Sequence, residues 1–457
     1  MSVRPFLIIT VSGVLAASLT TSSCSPSPTS TSTGGAPQTE SGGRGGAPAT
    51  GGAASGGSAT GSAGSGGITP TGGTGLGGAA MTPPAPADPV AALGSCLAPT
   101  GARWNDAVAA YAQWTRDLVT SDGARGFRRV KRPNSPNAIN TSNSEGIAYG
   151  MLLAVAMNDQ ALFDDLWRYA LLFPDDHGFM HWEINPEGTG TTANGQNGAT
   201  DGDEDMAFAL LWADARWGGK GALADTYKSY ALKHIDLIWK YEVDHAKGDA
   251  LMAGDHFGGA AVINISYFAP AYFRVFGKVT GKTADWDKVV ESSYTILAAT
   301  LNAANKNTTN GLVPAWSTPA GVPMAPSGTS MPINHQLDSC RTPFRIGQDY
   351  CWYGEPRAKA YLAKISGFYQ QVGADEIANG YNLDGTASPT NPTVNQSAAF
   401  VGPAAVGAMS DPAFATLRDQ GYAGVATLKQ LDGSLYYTES WTGLSLVFMN
   451  GGYWNPK

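Results

Sequence analysis

Three acids stand where long apolar segments begin. Glu145 lies in "NTSNSEGIAYGMLLAVAMNDQALFDDLW", Asp201 in "ATDGDEDMAFALLWADARW" and Asp338 in "HQLDSCRTPFRIGQDYCWYG". Carboxyl groups gathered at one site do acid–base work when their surroundings keep one protonated and another ionised. Glu145, in the first turn of a helix, is drawn toward the anion by the helix N-terminus. A second carboxylate nearby opposes that pull, and Asp201 is the candidate. Arg341, three residues after Asp338, is a cation that would favour the ionised form of that acid. Each acid also has a plain structural reading. Ser142 to Glu145 fits a capping box. Asp201 and Asp203 would serve to cap a helix, and Asp338 with Arg341 would form an ordinary i, i+3 pair. Asp203, Glu204 and Asp205 are expected to start and solvate a helix whose remainder is buried.

The elements that must position these acids are mostly helices. The apolar periodicity predicts helices over 104–120, 143–158, 160–173, 203–217, 221–242, 267–278, 283–304, 338–353, 355–371, 394–408, 411–428 and 435–450. Met206, Leu210, Ala213 and Trp217 mark one helical stripe, and Gly218 is placed to end it. Convincing alternating strands are few. Twelve helices in the stretch from Asp88 to Lys457 have the proportion of six helical hairpins. The expected fold is all-α, a ring of hairpins whose loops gather distant acids at one mouth. An α-solenoid gives a similar count, but the chain shows no fixed-period repeat.

The 457 residues carry a net charge of −8, which argues against nucleic acid or an anionic membrane as partner. Residues 1–24 read as an export signal: Arg4, an apolar run from Phe6 to Leu19, then small residues leading to Cys24. The pattern resembles a lipoprotein signal in which Cys24 is lipidated, although Thr21 stands where such signals carry Leu. Cleavage at an ordinary site nearby is the alternative. Residues 25–87 are Gly, Ser, Thr, Ala and Pro with Glu40 and Arg44 as the only charges, and are expected to be a flexible tether. The folded domain is expected over 88–457. Any membrane association is expected only through the lipid. Cys96, Cys340 and Cys351 permit a disulfide. If Cys340 and Cys351 share a helix, they are too far apart to pair, so Cys96 would bridge to one of them. No CxxC pair and no HExxH spacing occurs among the six His, so no metal is expected.

"ATDGDEDMAFALLWADARW" resembles, element by element, the signature of glycoside hydrolase family 8. "SEGIAYGMLLAVAMNDQALFDDLW", "LDSCRTPFRIGQDYCWYG", "SYFAPAYFRVFG" and "YYTESWTGLSLVFMNGGYW" are similar to further family segments in the same order. The resemblance implies an (α/α)6 barrel that hydrolyses β-1,4-linked polysaccharide, without a cofactor and with inversion at the anomeric carbon. It matches Glu145 to the general acid, Asp338 to the general base and Asp201 to the acid that binds and distorts the sugar. It matches Tyr267 to a tyrosine near the attacking water, Arg341 to an arginine that orients the base and Trp182 to a sugar platform. Asp203 belongs to the signature and is expected to stand behind Asp201. Tyr436 and Tyr437 are further candidates for sugar stacking. Leu337 replaces the family's aromatic residue before the base, and "AGDHFGGAAV" lacks a tryptophan that some family cellulases place there. These departures leave the catalytic set intact; the Asp-x-x-Arg setting of the base is similar to that of the family's cellulases and xylanases, so the substrate implied is cellulose or β-glucan, with xylan as the alternative. The chain is expected to act endo-wise, as a monomer. An inactive carbohydrate-binding descendant, or a terpene cyclase using the Asp201–Asp205 acids, fits less well.

Overall fold

Whether twelve helices make a ring or a solenoid depends on which of them touch. In the computed structural model, described for residues 83–388, 397–427 and 435–456, they alternate between an inner and an outer layer. A short first helix, α1 (Pro89–Leu93), precedes them. The outer helices are α2 (Trp104–Leu118), α4 (Gln160–Ala170), α6 (Tyr227–Tyr241), α8 (Thr283–Thr300), α10 (Pro356–Val372) and α12 (Ala415–Ala426). The inner ones are α3 (Ser144–Ala156), α5 (Thr200–Trp217), α7 (Pro270–Thr280), α9 (Thr342–Tyr353), α11 (Ala398–Ala408) and α13 (Leu435–Met449). Each inner helix packs on an outer one, and neighbouring inner helices follow one another until α13 closes against α3. Between α5 and α7 the rings of Phe208 and Tyr272 stack with centroids 4.0 Å apart. The result is an (α/α)6 barrel.

Residue choice separates the layers. Outer helices bury one stripe: in α2 these are Ala107, Ala110, Tyr111, Trp114 and Leu118. Inner helices are enclosed on all sides. Every residue of α11 is buried, and α3 is buried throughout except at Glu145. Small residues let these helices approach. A methyl group at Gly402 would sit 2.3 Å from Ser445 Oγ, so α11 and α13 can be this close only with glycine there.

All twelve expected helices are present. Gly218 ends α5 with φ 64°. The largest boundary difference is at α6, which starts at Tyr227 instead of 221; α9 starts at Thr342 instead of 338, because residues 336–341 form turns with Ser339 and Cys340 amides bonded to the Gln336 carbonyl. The expected starts at 394 and end at 428 fall outside the described residues, as do 1–24 and most of the tether. Near the end of the expected tether, Trp104 Nε1 donates to the Pro83 carbonyl at 3.1 Å. Cys96 pairs with Cys351, and Cys340 is free and buried. Among the described residues, no helix is long and apolar enough to cross a membrane.

Candidate active site

Two short antiparallel ribbons complete what the helices begin. Ser142–Asn143 pairs with Glu183–Ile184, and the Ser144 amide donates to the Trp182 carbonyl, so Trp182 stands beside the start of α3. Ile263–Asn264 pairs with Trp316–Ser317, which sets Trp316 near Tyr267. With the starts of α3, α5 and α13 and the turn before α9, they line a cleft of about 470 Å³. Its walls include Glu145, Asp201 and Asp338 together with Trp182, Tyr267, Trp316 and Phe257.

Glu145 is not a capping residue. Asn143 caps α3 by accepting from the Gly146 amide at 3.0 Å. Glu145 instead accepts from Arg341 Nη1 at 2.5 Å through Oε2 and from the Tyr436 hydroxyl through Oε1. Arg341 Nη1 also reaches Asp201 Oδ2 at 2.6 Å, and its Nε donates to Ser266 Oγ at 3.0 Å. One guanidinium can neutralise only one of two carboxylates. Burial pushes Glu145 from 4.5 up to about 7; Arg341 opposes this and the Asp201 charge adds to it. A carboxyl held protonated near neutrality is a proton donor.

This arrangement corrects the expected role of Arg341. Because residues 336–341 turn instead of continuing the helix, three-residue spacing does not bring Arg341 to Asp338, and no such ion pair occurs among the described residues. Arg341 serves the other two acids. Asp338 Oδ2 accepts instead from Trp316 Nε1 at 3.3 Å and Gln336 Nε2 at 3.1 Å. These two donors are uncharged, and among the described residues Asp338 has no cationic partner.

The acids after Asp201 do not solvate the helix. Asp203, Glu204 and Asp205 are all fully buried, because α5 lies inside the ring and its first turns are covered too. Asp205 makes two bonds to Arg345, at 2.6 and 2.7 Å. Asp203 lies 3.4 Å from His234 Nε2, away from the cleft, and burial pushes it and Glu242 well above the ordinary carboxylate range.

The aromatic candidates divide. Trp182 is half-buried and its Nε1 donates to the Asn194 carbonyl at 2.8 Å, so its ring edge is fixed at the cleft wall and it is not a core residue. Tyr267 also lines the cleft, with the Arg341 guanidinium 5.1 Å from its ring centre. Tyr436 and Tyr437 reach the cleft but are buried, and their hydroxyls are engaged, by Glu145 and by the Leu337 carbonyl at 2.9 Å. Tyr436 holds the acid more than it offers a stacking face. Trp316 and Phe257 were not anticipated. Their rings stack with centroids 5.9 Å apart and planes 8° from parallel, and Phe257 is 43% exposed. Phe257 occupies the loop where a tryptophan is lacking. The signal available was a single Phe or Trp in each of two loops rich in small residues.

The family model for glycosyl hydrolases family 8 matches residues 86–451. Endoglucanase A of Acetivibrio thermocellus is 37% identical over 78% of this chain and 69% of that protein. Endoglucanase 2 of Ruminiclostridium josui is 36% identical over 79% of this chain and 74% of its own length. Among solved structures, a β-1,3-1,4-glucanase from Paenibacillus sp. X4 superposes with a TM-score of 0.70 at 26% identity, over 79% of this chain and 96% of that one.

Proposed function

The chain belongs to glycosyl hydrolases family 8, and we propose that it is an inverting endo-glucanase acting on β-1,4-linked glucan chains. The observation that carries this reading is the pair of unlike carboxyls on one aromatic-lined cleft. Glu145 is largely enclosed, with its side chain 16% exposed, and raised to about 7, while Asp338 is turned to the cleft between two neutral donors. Inverting hydrolysis needs one acid and one base on opposite faces of the sugar. Glu145 gives its proton to the glycosidic oxygen as the C–O bond breaks. A water attacks the anomeric carbon from the other side, and Asp338 takes the proton that the water loses. Asp201, held by Arg341, binds the sugar at the scissile bond, and Tyr267 borders the water. Trp182 and the Phe257–Trp316 pair offer flat apolar faces to pyranose rings. The names of the relatives, endoglucanases and a β-1,3-1,4-glucanase, favour glucan over xylan.

A reducing-sugar assay on cellulose, mixed-linkage glucan and xylan tests the substrate, and proton NMR of fresh product tests the stereochemistry. The α-anomer should appear first, and Asp338→Asn should abolish its formation. Xylan as the preferred polymer overturns the substrate reading, and the β-anomer first overturns the base assignment.

The enzyme is further proposed to be exported as a monomer, with residues 1–24 as signal, Cys24 as lipid acceptor and 25–87 as tether; the composition of residues 1–87 supports the signal and the tether. Mass spectrometry of the mature N-terminus checks it: an unmodified Cys24 within the mature chain rules out the anchor.

A further inference from the structure

Two Asp–His dipeptides, Asp176–His177 and Asp255–His256, lie far apart in sequence and meet in space. We propose that these four residues form a binding site for a divalent transition-metal cation of zinc type, beside the catalytic cleft and separate from it. One ligand atom from each residue lies within 4.8 Å of every other. His177 Nδ1 is 2.6 Å from Asp255 Oδ2, and His256 Nε2 is 2.8 Å from Asp176 Oδ1 and 3.4 Å from Asp255 Oδ2. A tetrahedral zinc with bonds of about 2.0–2.2 Å spaces its ligand atoms by roughly 3.4 Å. The four atoms are thus within small side-chain rotations of a zinc cage. Two imidazoles and two carboxylates suit zinc and its neighbours better than calcium or magnesium, which select oxygen.

The surroundings are those of a built site. The Asp255 side chain is fully buried, and its second oxygen accepts from the Gly198 amide at 2.9 Å. The His177 ring is clamped between Tyr241 and His256, with centroids 3.8 and 4.5 Å away. Asp175 Oδ1 accepts from the amides of His177, Gly178 and Phe179, which fixes the loop that presents His177. Asp175 Oδ2 is buried with no hydrogen-bond partner, and the Asp175 carboxyl interacts with that of Asp255. Outer partners of this kind orient metal ligands. The signal that pointed away from a metal was linear spacing. This set is split between two loops and has no short-range signature.

The site has a mechanical consequence. Phe257 follows His256 and forms the cleft wall with Trp316, whose Nε1 holds Asp338. A metal joining Asp255 and His256 to Asp176 and His177 ties down the loop carrying Phe257.

The test uses the full-length chain, stripped with EDTA and titrated calorimetrically with zinc chloride, then with magnesium and calcium chloride. Zinc should bind once per chain, raise the melting temperature, and lower KM with little effect on kcat. Asp176→Asn, at a side chain 71% exposed, and His256→Gln should each weaken zinc binding at least about tenfold. Both should melt like the wild type in EDTA. His245→Gln, which breaks an isolated His–Asp pair elsewhere, should bind zinc like the wild type. Absence of stoichiometric zinc, equal affinity in Asp176→Asn, or tighter binding of calcium or magnesium overturns the proposal. If His256→Gln melts far below the stripped wild type, the Asp176→Asn affinity alone decides.

Discussion

Gly202 on α5 lies against Ser144 on α3 so closely that a methyl group at 202 would be 2.7 Å from Ser144 Oγ and 2.9 Å from its carbonyl carbon. The next residue on α3 is Glu145, and the residue before Gly202 is Asp201. The contact therefore sets how both acids reach the one Arg341. Gly202→Ala must push the two helices apart, since a backbone atom is in the way. Overpacking of this kind costs about 1–3 kcal/mol of stability. Displacing catalytic groups by about 1 Å costs about 10²-fold in rate. Thermal melts and initial rates on soluble glucan measure the two effects. A folded Gly202→Ala enzyme with wild-type kcat would show that this approach does not set the site.

Glu145 gives the enzyme a pH signature. With its carboxyl raised to about 7, the proposed acid catalyst loses its proton as pH climbs through that value, and kcat/KM should fall on the alkaline side. Stability follows the same group. The folded chain holds this proton up to about 7, whereas the unfolded chain releases it near 4.5. The contribution is therefore complete below 4.5 and is lost as pH rises through about 7. Glu145→Gln should reduce turnover about 10²–10⁴-fold and flatten that part of the stability curve. Denaturant melts from pH 4 to pH 9 on both proteins decide it, and parallel curves would place the titration elsewhere.

Trp182→Ala should raise KM more than it lowers kcat. The ring is half-buried at the cleft and its backbone bond to Ser144 survives the change. A stacking face contributes a few kcal/mol at most, and contributes it equally to bound substrate and transition state. A core tryptophan would instead cost about 3–5 kcal/mol of stability. Loss of melting temperature with unchanged oligosaccharide binding would end the platform assignment.

The ring was legible because helix periodicity is local. Each inner helix advertises itself as an apolar run, and each outer one as a stripe. Glu145, Asp201 and Asp338 were legible for the same reason, as acids placed where such runs begin. What failed was inference from spacing across a helix start. The i, i+3 pairing of Asp338 with Arg341 assumed a helix from 338, and a turn at 336–341 removed it. The solvated role for Asp203, Glu204 and Asp205 assumed that acids face water. The partners that make their burial tolerable, Arg345 and His234 on other helices, are set only by tertiary contact. Trp316 and Phe257 were invisible for a related reason. Their value lies in stacking on each other across 59 positions of sequence.

Arg345 supplies the sharpest stability test, because nothing in the cleft touches it. It forms a two-pronged bond with Asp205 inside the ring, with Glu204 Oε1 3.8 Å away, and all three side chains are at most 2% exposed. Its guanidinium also faces the Tyr272 ring at 5.3 Å. Removing one member of a buried pair leaves the other charge without compensation, which costs about 3–5 kcal/mol, whereas replacing both by apolar groups is often neutral. Arg345→Met should therefore shift the urea midpoint strongly downward, and adding Asp205→Leu should restore much of the loss. The rate per folded molecule should stay near wild type in both, since the effect lies in the scaffold. Glu204 sharpens the expectation. If it is held protonated by burial, as its strongly raised pKa implies, the double variant leaves no unpaired charge and recovery is nearly complete. Strictly additive losses in the double-mutant cycle would mean that Arg345 and Asp205 contribute independently, and that the cluster opening α5 is not stabilised as a pair.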